Sequence, residues 1–346
     1  MVDIMQDAEV FSTESGTDML TTPAWEAFAA SQGTVFHTAR FLLPWWRDRL
    51  ARNPASRLVT VRVVDDGQGA AATIGICAFE LDGDGVCFAG GQDVVDYMGP
   101  VALPGREKEV AAVLARWLFG ESSWTRAHLA GLVNSDAAAQ AFVDEVVRLA
   151  PDAVVGAYDQ APRIECAPQG YLALLNSKRR ADILRKRNRL IEAVGELELV
   201  DSTRGTLPEA IERLLAWKAD ASPATHEFVD EYGGFVRDLT VELADADACR
   251  VVELHAAGRP LAAAIMLSHR DTALIYNMAY DMSFSGESPA HAGLAPGVVL
   301  VSLLVERSLE RGLHFDFLKG AQDYKLRLGG IPVDLIGITV DRTDRC

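Results

Sequence analysis

Cysteine is scarce in this chain, and the few cysteines show no pattern. Five of the 346 residues are cysteine, dispersed along the chain and without a CxxC pair. An odd number at such spacings argues against a disulfide framework and against a structural zinc site. The chain also lacks the ~20 consecutive apolar residues of a membrane-spanning helix, and residues 1–10 lack the apolar run of a signal peptide. These absences predict a cytoplasmic protein that binds neither metal nor membrane.

Two catalytic signatures are missing as well. The seven histidines form no HxH or HExxH pattern, and no serine lies in a GxSxG turn. The sequence therefore supports neither a zinc protease nor a hydrolase with a serine triad.

Positive charge is in short supply, with one local exception. The chain has 33 Lys and Arg against 49 Asp and Glu, a net charge of −16, which disfavours general binding to nucleic acid. Residues 177–189, SKRRADILRKRNR, nevertheless carry seven cations: Lys178, Arg179, Arg180, Arg185, Lys186, Arg187 and Arg189. They form either a site for a phosphate-bearing partner such as tRNA or a solvated helix face that pairs with the chain's own acids. No aromatic residue is interleaved to stack bases.

The length predicts two domains, and the hydrophobic periodicity predicts mixed α/β structure in both. In the first half we predict strands at 57–64, 72–81, 86–91 and 126–132 and helices at 107–119 and 137–150. In the second half we predict helices at 171–195, 207–220, 228–246 and 296–312, three strands within 249–281 and a strand from residue 315. The similar order of elements indicates two related α/β domains, 1–168 and 169–346, with the 171–195 helix as the linking element.

The second half holds the candidate site. FDFLKGAQDYKLRLGG, residues 315–330, begins as a strand, turns at Gly320 and then presents Tyr324, Lys325 and Arg327. A loop with Gly293 and His291 precedes a helix that opens with Pro296, Gly297 and Val298, and free N–H groups at such a helix start suit an anion. In the strand before it, IYNMAYD, the polar residues Asn277 and Asp281 need partners if they are buried.

Several of these stretches, in this order, resemble one protein family. They are YLALLNSKRRADILRKRNRL, YNMAYDMSFSGES, LAPGVVLVSLLVERSLERG and FDFLKGAQDYKLRLG, and the opening WEAFAASQGTVFHTARFLLPWWRD and the DVVDYMGPV turn are similar too. The family is the GNAT superfamily of acyltransferases, in particular the subfamily associated with cellulose or exopolysaccharide biosynthesis. The resemblance spans nearly the whole chain and implies two tandem GNAT-like domains, as in Fem-type aminoacyl-tRNA-dependent ligases. Each would be a mixed, largely antiparallel sheet flanked by helices.

The resemblance also implies a chemistry, the direct transfer of an acyl group from a thioester to an amine. The donor pantetheine would lie between splayed strands at 272–281 and 314–319, and its pyrophosphate at the helix start, residues 295–298. Tyr324 would protonate the departing thiolate, Asp281 or His291 would act as base, and Asp316 would orient the amine. The expected donor-binding residues are Asn277, Tyr280, Gly293, Pro296, Gly297, Val298, Lys325 and Arg327.

Three functions stay open at this point. The first is an N-acyltransferase that uses acyl-CoA or an acyl carrier protein and a small-molecule amine, without a metal. The second is a Fem-like transferase with aminoacyl-tRNA as donor, which the cations of 177–189 favour. The third is a non-catalytic binding protein, because the family's GDEP is GAQD here, with Ala321 and Gln322 in place of two acids.

Overall fold

The computed structural model describes residues 8–11, 17–65 and 72–342, so residues 1–7 and Cys346 lie outside the described residues. Its helices are α1 Pro23–Gln32, α2 Ala39–Arg52, α3 Glu107–Gly120, α4 Ala137–Leu149, α5 Tyr171–Leu174, α6 Ser177–Val194, α7 Leu207–Ala221, α8 Pro223–Asp245, α9 Pro296–Glu310 and α10 Asp323–Arg327. Its strands are β1 Ala8–Phe11, β2 Arg57–Asp65, β3 Ala72–Asp82, β4 Gly85–Phe88, β5 Val101–Ala102, β6 Arg126–Val133, β7 Val154–Ile164, β8 Leu197–Asp201, β9 Cys249–Ala256, β10 Arg259–His269, β11 Thr272–Tyr280, β12 His314–Asp316 and β13 Ile331–Asp341. None of the described helices is both long and apolar enough to span a membrane.

The chain folds into two compact units. The first comprises Met1–Gln160 together with Val333–Cys346, and the second comprises Ala161–Pro332. The C-terminal strand β13 belongs to the first unit, because it pairs with β6 from Leu335↔Val133 to Asp341↔Arg126. The sequence analysis placed one boundary at residue 168 and gave the whole C-terminal part to the second domain.

The first unit is built on the strand order β1-β2-β3-β4-β6-β13, with β5 beside β3. Its pairs are antiparallel except β4 with β6. β2 and β3 are buried almost throughout. Apolar residues make up more than half of each strand, and α1 and α3 pack against β3.

The second unit has the strand order β7-β12-β11-β10-β9-β8. All neighbouring pairs are antiparallel except β11 with β12. Successive side chains of β10 point to opposite faces of the sheet, so the core of the second unit has two parts. Ala262 and Ala264 join a cluster with Leu300 and Leu304 of α9, while α7 packs against β9, β10 and β11. The predicted mixed α/β class is confirmed, and most Leu and Val side chains of α9 are buried.

The predicted 171–195 helix is interrupted. It is split into α5 and α6 because the Asn176 side chain caps α6 by accepting a hydrogen bond from the Arg179 N–H at 2.9 Å. The helix ends at Gly195, as predicted, where a φ of +88° suits glycine. Both helices belong to the second unit and pack against its α9.

Arg187 ties α6 to α9. Its guanidinium donates to the Ser302 carbonyl oxygen at 2.9 Å, to Ser302 Oγ at 3.0 Å and to Glu306 at 2.6 Å. The side chain is only 11% exposed. Arg187 therefore holds two helices together, whereas the sequence analysis included it among the cations for a phosphate-bearing partner.

Replacing Arg187 should destabilise the second unit. Arg187→Ala leaves the Glu306 carboxylate and the Ser302 groups without their donor, which should cost about 2–4 kcal/mol. Arg185→Ala is the matched control, because Arg185 is 66% exposed and pairs only with Asp182 on its own helix, and it should cost about 0.5 kcal/mol or less. Urea unfolding followed by circular dichroism measures both. Equal losses would show that Arg187 has no special structural role.

Candidate functional site

The central feature of the second unit is the early divergence of two parallel strands. β11 and β12 pair at Thr272↔His314, Ala273↔Phe315 and Leu274↔Asp316, and their pairing ends there. β11 then runs on to Tyr280 alongside β10. Beyond Leu274, β11 has no described strand paired on the side of β12, and this unpaired edge between β11 and β12 is called the gap below.

A bulge lies on β11 where the gap opens. Ile265 of β10 pairs with Asn277, and Met266 pairs with Ile275, so Tyr276 is an extra residue on β11. A bulge re-aims backbone groups and side chains locally and is frequent beside active sites. Here it lies next to the edge that β12 has left.

The N-terminus of α9 reaches the same end of β11. A Cβ on Gly297 would come within 3.0 Å of Tyr280 Cδ1 and 3.3 Å of Met278 Sδ. Met278 and Tyr280 therefore face α9, and by alternation Asn277 lies on the opposite side of the strand. Asn277 is buried, and its side chain has no hydrogen-bond partner among the described residues.

The start of α9 is open to an anion. Ala295 precedes the helix and provides no side-chain cap, Pro296 has no N–H, and the first turn holds no acid. The N–H groups of Gly297 and Val298 and the positive end of the helix are thus left for a ligand or water. Gly293, with a φ of +73°, lies exposed in the preceding loop.

The corresponding helix of the first unit is closed. α3 also connects two strands that pair in parallel, β4 and β6, over only Gly85↔Arg126 and Val86↔Ala127. At its start the Glu107 carboxylate accepts the Gly105 N–H at 2.9 Å, and this hydrogen bond lowers the pKa of Glu107. Glu109 adds a second acid to the first turn. The chain's own carboxylates therefore occupy the start of α3, and of these two helices α9 is the one whose first turn carries no acid.

A tight turn follows β12. Asp316 is buried, and its carboxylate accepts the Leu318 N–H at 2.7 Å and pairs with Arg163 Nε at 2.7 Å. Leu318 has a φ of +57°, a strained value for leucine. Because of this turn the strand ends at Asp316, three residues earlier than the predicted 314–319.

Lys325 points into this turn. Its ammonium is buried and donates to the carbonyl oxygens of Leu318 at 3.1 Å and Lys319 at 2.7 Å. Sequence analysis expected Lys325 to hold a donor phosphate, but the structure engages its ammonium with the backbone. Arg327 is 68% exposed and pairs with Asp323 at 3.2 Å.

Tyr324 is on α10, which follows the turn. Since β11 and β12 are parallel, α10 lies at the end of the sheet where β11 ends and α9 begins. Its ring packs against the core of the second unit. Burial raises the pKa of Tyr324 to about 12, so the phenol keeps its proton across the physiological range and is able to donate a hydrogen bond.

Asp281 directly follows β11 and forms hydrogen bonds and an ion pair with neighbouring side chains. Its carboxylate accepts the Ser283 N–H at 3.0 Å and the Ser283 hydroxyl at 2.5 Å and pairs with Arg259 at 2.7 Å. Partial burial raises the pKa of Asp281, but the hydrogen bonds from Ser283 and Arg259 outweigh it and leave the pKa below its usual value. Arg259 also binds Glu287. This low pKa makes Asp281 a weak base.

His291 lies in the 3₁₀ turn Pro289–His291 before α9. Its ring stacks on Phe284 at a centroid distance of 4.3 Å, and Nδ1 lies 3.1 Å from the Phe284 carbonyl oxygen. A carbonyl only accepts, so Nδ1 carries the proton and Nε2 holds the free electron pair. No described residue bonds to Nε2, which makes it the accessible basic nitrogen of the loop.

The cations of α6 divide into paired and unpaired groups. Arg185 and Lys186 pair with Asp182, and Arg187 pairs with Glu306. Within the described part of the chain, the remaining side chains are exposed and have no ion-pair partner: Lys178, Arg179, Arg180 and Arg189.

Two arginines of the region were missed by sequence analysis. Arg163 belongs to β7, a strand that the hydrophobic periodicity did not predict. Arg259 is the first residue of β10, and no motif in the turn before it indicates a functional residue. In the described ranges, no three His, Cys, Asp or Glu side chains cluster as metal ligands would. The four cysteines in those ranges are free thiols.

Comparison with protein families gives one match for this region. Residues 177–326, which contain every site residue described above in the second unit except Arg163 and Arg327, match the model of the acetyltransferase (GNAT) domain. No curated protein matches the chain.

Solved structures with similar folds cover nearly the whole chain. FemX has a TM-score of 0.59 at 9% identity, with 92% of this chain and 95% of FemX covered. L-PGS from Bacillus licheniformis has a TM-score of 0.56 at 11% identity, covering 94% and 92%. A tandem GNAT protein from the clavulanic acid biosynthesis pathway has a TM-score of 0.51 at 14% identity, covering 98% and 100%. At these identities the likeness shows the fold alone.

The raised pKa of Tyr324 can be measured directly. In protein labelled with ¹³Cζ-tyrosine, the resonance that disappears in Tyr324→Phe should not titrate up to about pH 10.5, whereas an ordinary tyrosine is more than half ionised there. Free N-acetyltyrosinamide in the same buffer provides the control, because burial also raises the pKa of Tyr171. A midpoint near 10 for this resonance would mean that the phenol is solvated rather than buried.

Proposed function

We propose, because residues 177–326 belong to the GNAT acetyltransferase domain family, that this acyltransferase moves an acyl group from a thioester to the amine of a small molecule. The GNAT fold predicted for the chain is confirmed by the family match and by the structural neighbours, and the prediction of an acyltransferase is confirmed with it. The particular donor and acceptor, the site residues and the link to cellulose biosynthesis stay predictions.

One observation carries the proposal, the gap that opens between β11 and β12 beside the uncapped start of α9. A thioester donor is a long chain with a phosphate at one end and a reactive carbonyl at the other. The gap would receive the extended chain. The Gly297 and Val298 N–H groups would receive the phosphate, and the absence of a side chain on Gly297 lets the start of α9 lie close against Tyr280 and Met278 of β11.

The residues at the gap suit direct acyl transfer. The amine nitrogen attacks the thioester carbonyl carbon, the C–S bond breaks, and an amide forms. Backbone N–H groups along the bulged part of β11 would stabilise the developing oxyanion. We assign the proton from the amine to His291 Nε2, and the proton for the departing sulfur to the Tyr324 phenol.

Three predicted site residues have a structural role in this proposal rather than a catalytic or donor-binding one. Asp281 fixes the loop after β11 through Arg259 and Ser283. Asp316 and Lys325 hold the turn that positions α10. None of them needs to exchange a proton during the reaction.

Aminoacyl-tRNA stays the alternative donor that the Fem-type resemblance implies. The four unpaired cations of α6 favour it. Binding of acetyl-CoA by calorimetry and retention of aminoacyl-tRNA on filters, each at two salt concentrations, separate the two donors. Salt-sensitive retention of tRNA without binding of acetyl-CoA would reverse the order of the two proposals.

A side chain on Gly297 should block the donor. Gly297→Val pushes a methyl group into Tyr280 and Met278, and such overpacking should weaken acetyl-CoA binding by at least ~10-fold. Gly234→Val is the matched control, because a Cβ there meets nothing within 4 Å. Calorimetry gives the two dissociation constants, and an unchanged constant for Gly297→Val would remove this helix start from the donor site.

The two proton transfers should be separable by mutation. Tyr324→Phe should lower kcat about 100-fold while the affinity for acetyl-CoA stays unchanged, since only the proton donor is lost. His291→Gln should lower kcat similarly, because the acceptor of the amine proton is lost. Thiol release from acetyl-CoA with a panel of amines is the assay. Unchanged turnover in either variant excludes that residue from the mechanism.

A further inference from the structure

Two polar side chains of the second unit lack partners, and both lie on the face of the sheet opposite α9. The first is Asn277, which is only 9% exposed and has no hydrogen-bond partner among the described residues. The second is Lys218 near the end of α7, which forms no ion pair or hydrogen bond with any residue that the structure describes. The chemistry proposed above uses neither of them.

The bulge at Tyr276 decides which face Asn277 occupies. Ile275 pairs with Met266 and Asn277 pairs with Ile265, so the two β11 residues face neighbouring β10 residues, whose side chains point to opposite sides of the sheet. Ile275 belongs to the core cluster that includes α9. Asn277 therefore points away from α9, although a regular strand would place residues 275 and 277 on one face. A donor bound at the start of α9 lies on the other side, so the Asn277 amide is left for the second substrate.

The helix α7 covers the face to which Asn277 points, and it runs toward the end of β11. It begins shortly after Ser202, whose N–H donates to the Val251 carbonyl oxygen at 2.8 Å near the start of β9. It packs against β9, β10 and β11 and also contacts the turn Met282–Gly286, which follows β11. Since β9 and β11 are both antiparallel to β10 and so run in the same direction, the last turn of α7 lies where β11 ends.

Lys218 lies on the side of α7 that faces the sheet. It follows the buried Ile211 by seven residues and the buried Leu214 by four, and at 3.6 residues per turn the three lie within about 60° of one another. Its ammonium is 4.8 Å from the centre of the Phe228 ring on α8, and burial lowers its pKa. A cation on the inner side of a helix is costly without a counter-charge, and an aromatic ring attracts it only weakly. An anionic ligand would supply the missing charge.

The position of Lys218 indicates that this anion belongs to the acceptor. The N–H groups proposed to bind the donor phosphate, those of Gly297 and Val298, lie on the α9 face of the sheet. A single ammonium suits a carboxylate, whereas phosphate is commonly held by the fork of an arginine or by several N–H groups. The one arginine of α7, Arg213, already pairs with the buried Glu253 at 2.7 Å.

We propose that the acceptor is an amino acid in the broad sense, a small molecule with an amine at one end and a carboxylate at the other. The Lys218 ammonium binds the carboxylate at the end of β11. The Asn277 side-chain oxygen, farther back along the strand, accepts one N–H of the amine and leaves the electron pair of the nitrogen for the thioester carbonyl. This inference rests on the proposed function, which leaves the class of amine open, and it moves Asn277 from the predicted donor site to the acceptor site.

The test uses acceptors that differ in charge but hardly in size. Glycine, β-alanine, 4-aminobutyrate and 6-aminohexanoate are each compared with the corresponding primary amide, and thiol release from acetyl-CoA gives KM and kcat. The variants are Lys218→Met, which keeps an unbranched side chain beside Phe228, and Lys218→Arg, which keeps the charge. Lys108→Met is the matched control, because Lys108 is an exposed lysine of α3 in the first unit. Thermal unfolding checks that each variant folds.

We expect the wild type to prefer an amino acid to its amide. Lys218→Met should raise the KM of that amino acid by about tenfold or more, because a hydrogen bond to a charged group is lost. The KM of the amide, kcat and the dissociation constant of acetyl-CoA should not change, as expected when only ground-state binding is removed. Lys218→Arg should restore most of the affinity, and Lys108→Met should match the wild type. Asn277→Leu should lower kcat/KM for acid and amide alike, because both share the amine.

The outcomes separate this inference from the proposed function. Equal use of amino acids and amides by the wild type, or an equal rise of both KM values in Lys218→Met, would overturn the inference and leave the acyltransferase standing. A preference for phosphoethanolamine that Lys218→Met abolishes would assign Lys218 to phosphate and overturn the carboxylate. If no amine releases thiol, the proposed function fails, and calorimetry with the four amino acids decides the rest. Binding lost in Lys218→Met would then support the anion site, and no binding would overturn it.

Discussion

The second unit is organised around β11, whose pairing with β12 ends after three residue pairs. β11 has β12 beside it for three residue pairs and then continues without it. Backbone groups at a sheet edge in a protein interior need other partners, because an unpaired buried N–H or C=O group is costly. The bulge at Tyr276, the open start of α9 and the turn after Asp316 all lie around this gap. A ligand with an extended polar chain completes such an edge.

The gap persists because β12 is forced to stop. Asp316 captures the Leu318 N–H, Leu318 takes a left-handed conformation, and Lys325 binds the two carbonyl oxygens that follow. Each of these contacts would be lost if the strand continued alongside β11. Arg163 compensates the buried Asp316 carboxylate from the other neighbouring strand, β7. The strain at one residue is thus held by a small set of charged groups.

Sequence patterns revealed most elements but not their long-range partners. The helices α3, α4, α7 and α9 and the strands β2, β3, β9, β10 and β11 follow from local periodicity. β13 was missed, and nothing local indicates that it pairs with β6, more than 190 residues earlier. The same holds for the candidate site. The sequence identified Tyr324, Asp281 and His291 as candidates from their residue types. It did not predict that Lys325 points inward or that Arg259 pairs with Asp281 and Glu287, because cations are usually exposed and these contacts depend on packing.

The burial of Lys325 affects whether the protein can acylate its own lysine side chains. A protein that binds activated acyl groups can acylate its own amines, and Lys325 directly follows Tyr324, the proton donor proposed above. Only an amine with a free electron pair attacks a thioester. The Lys325 nitrogen is buried and donates to the carbonyl oxygens of Leu318 and Lys319, so it is held inside the turn and away from solvent. The contact that shapes the turn also protects it from self-acylation.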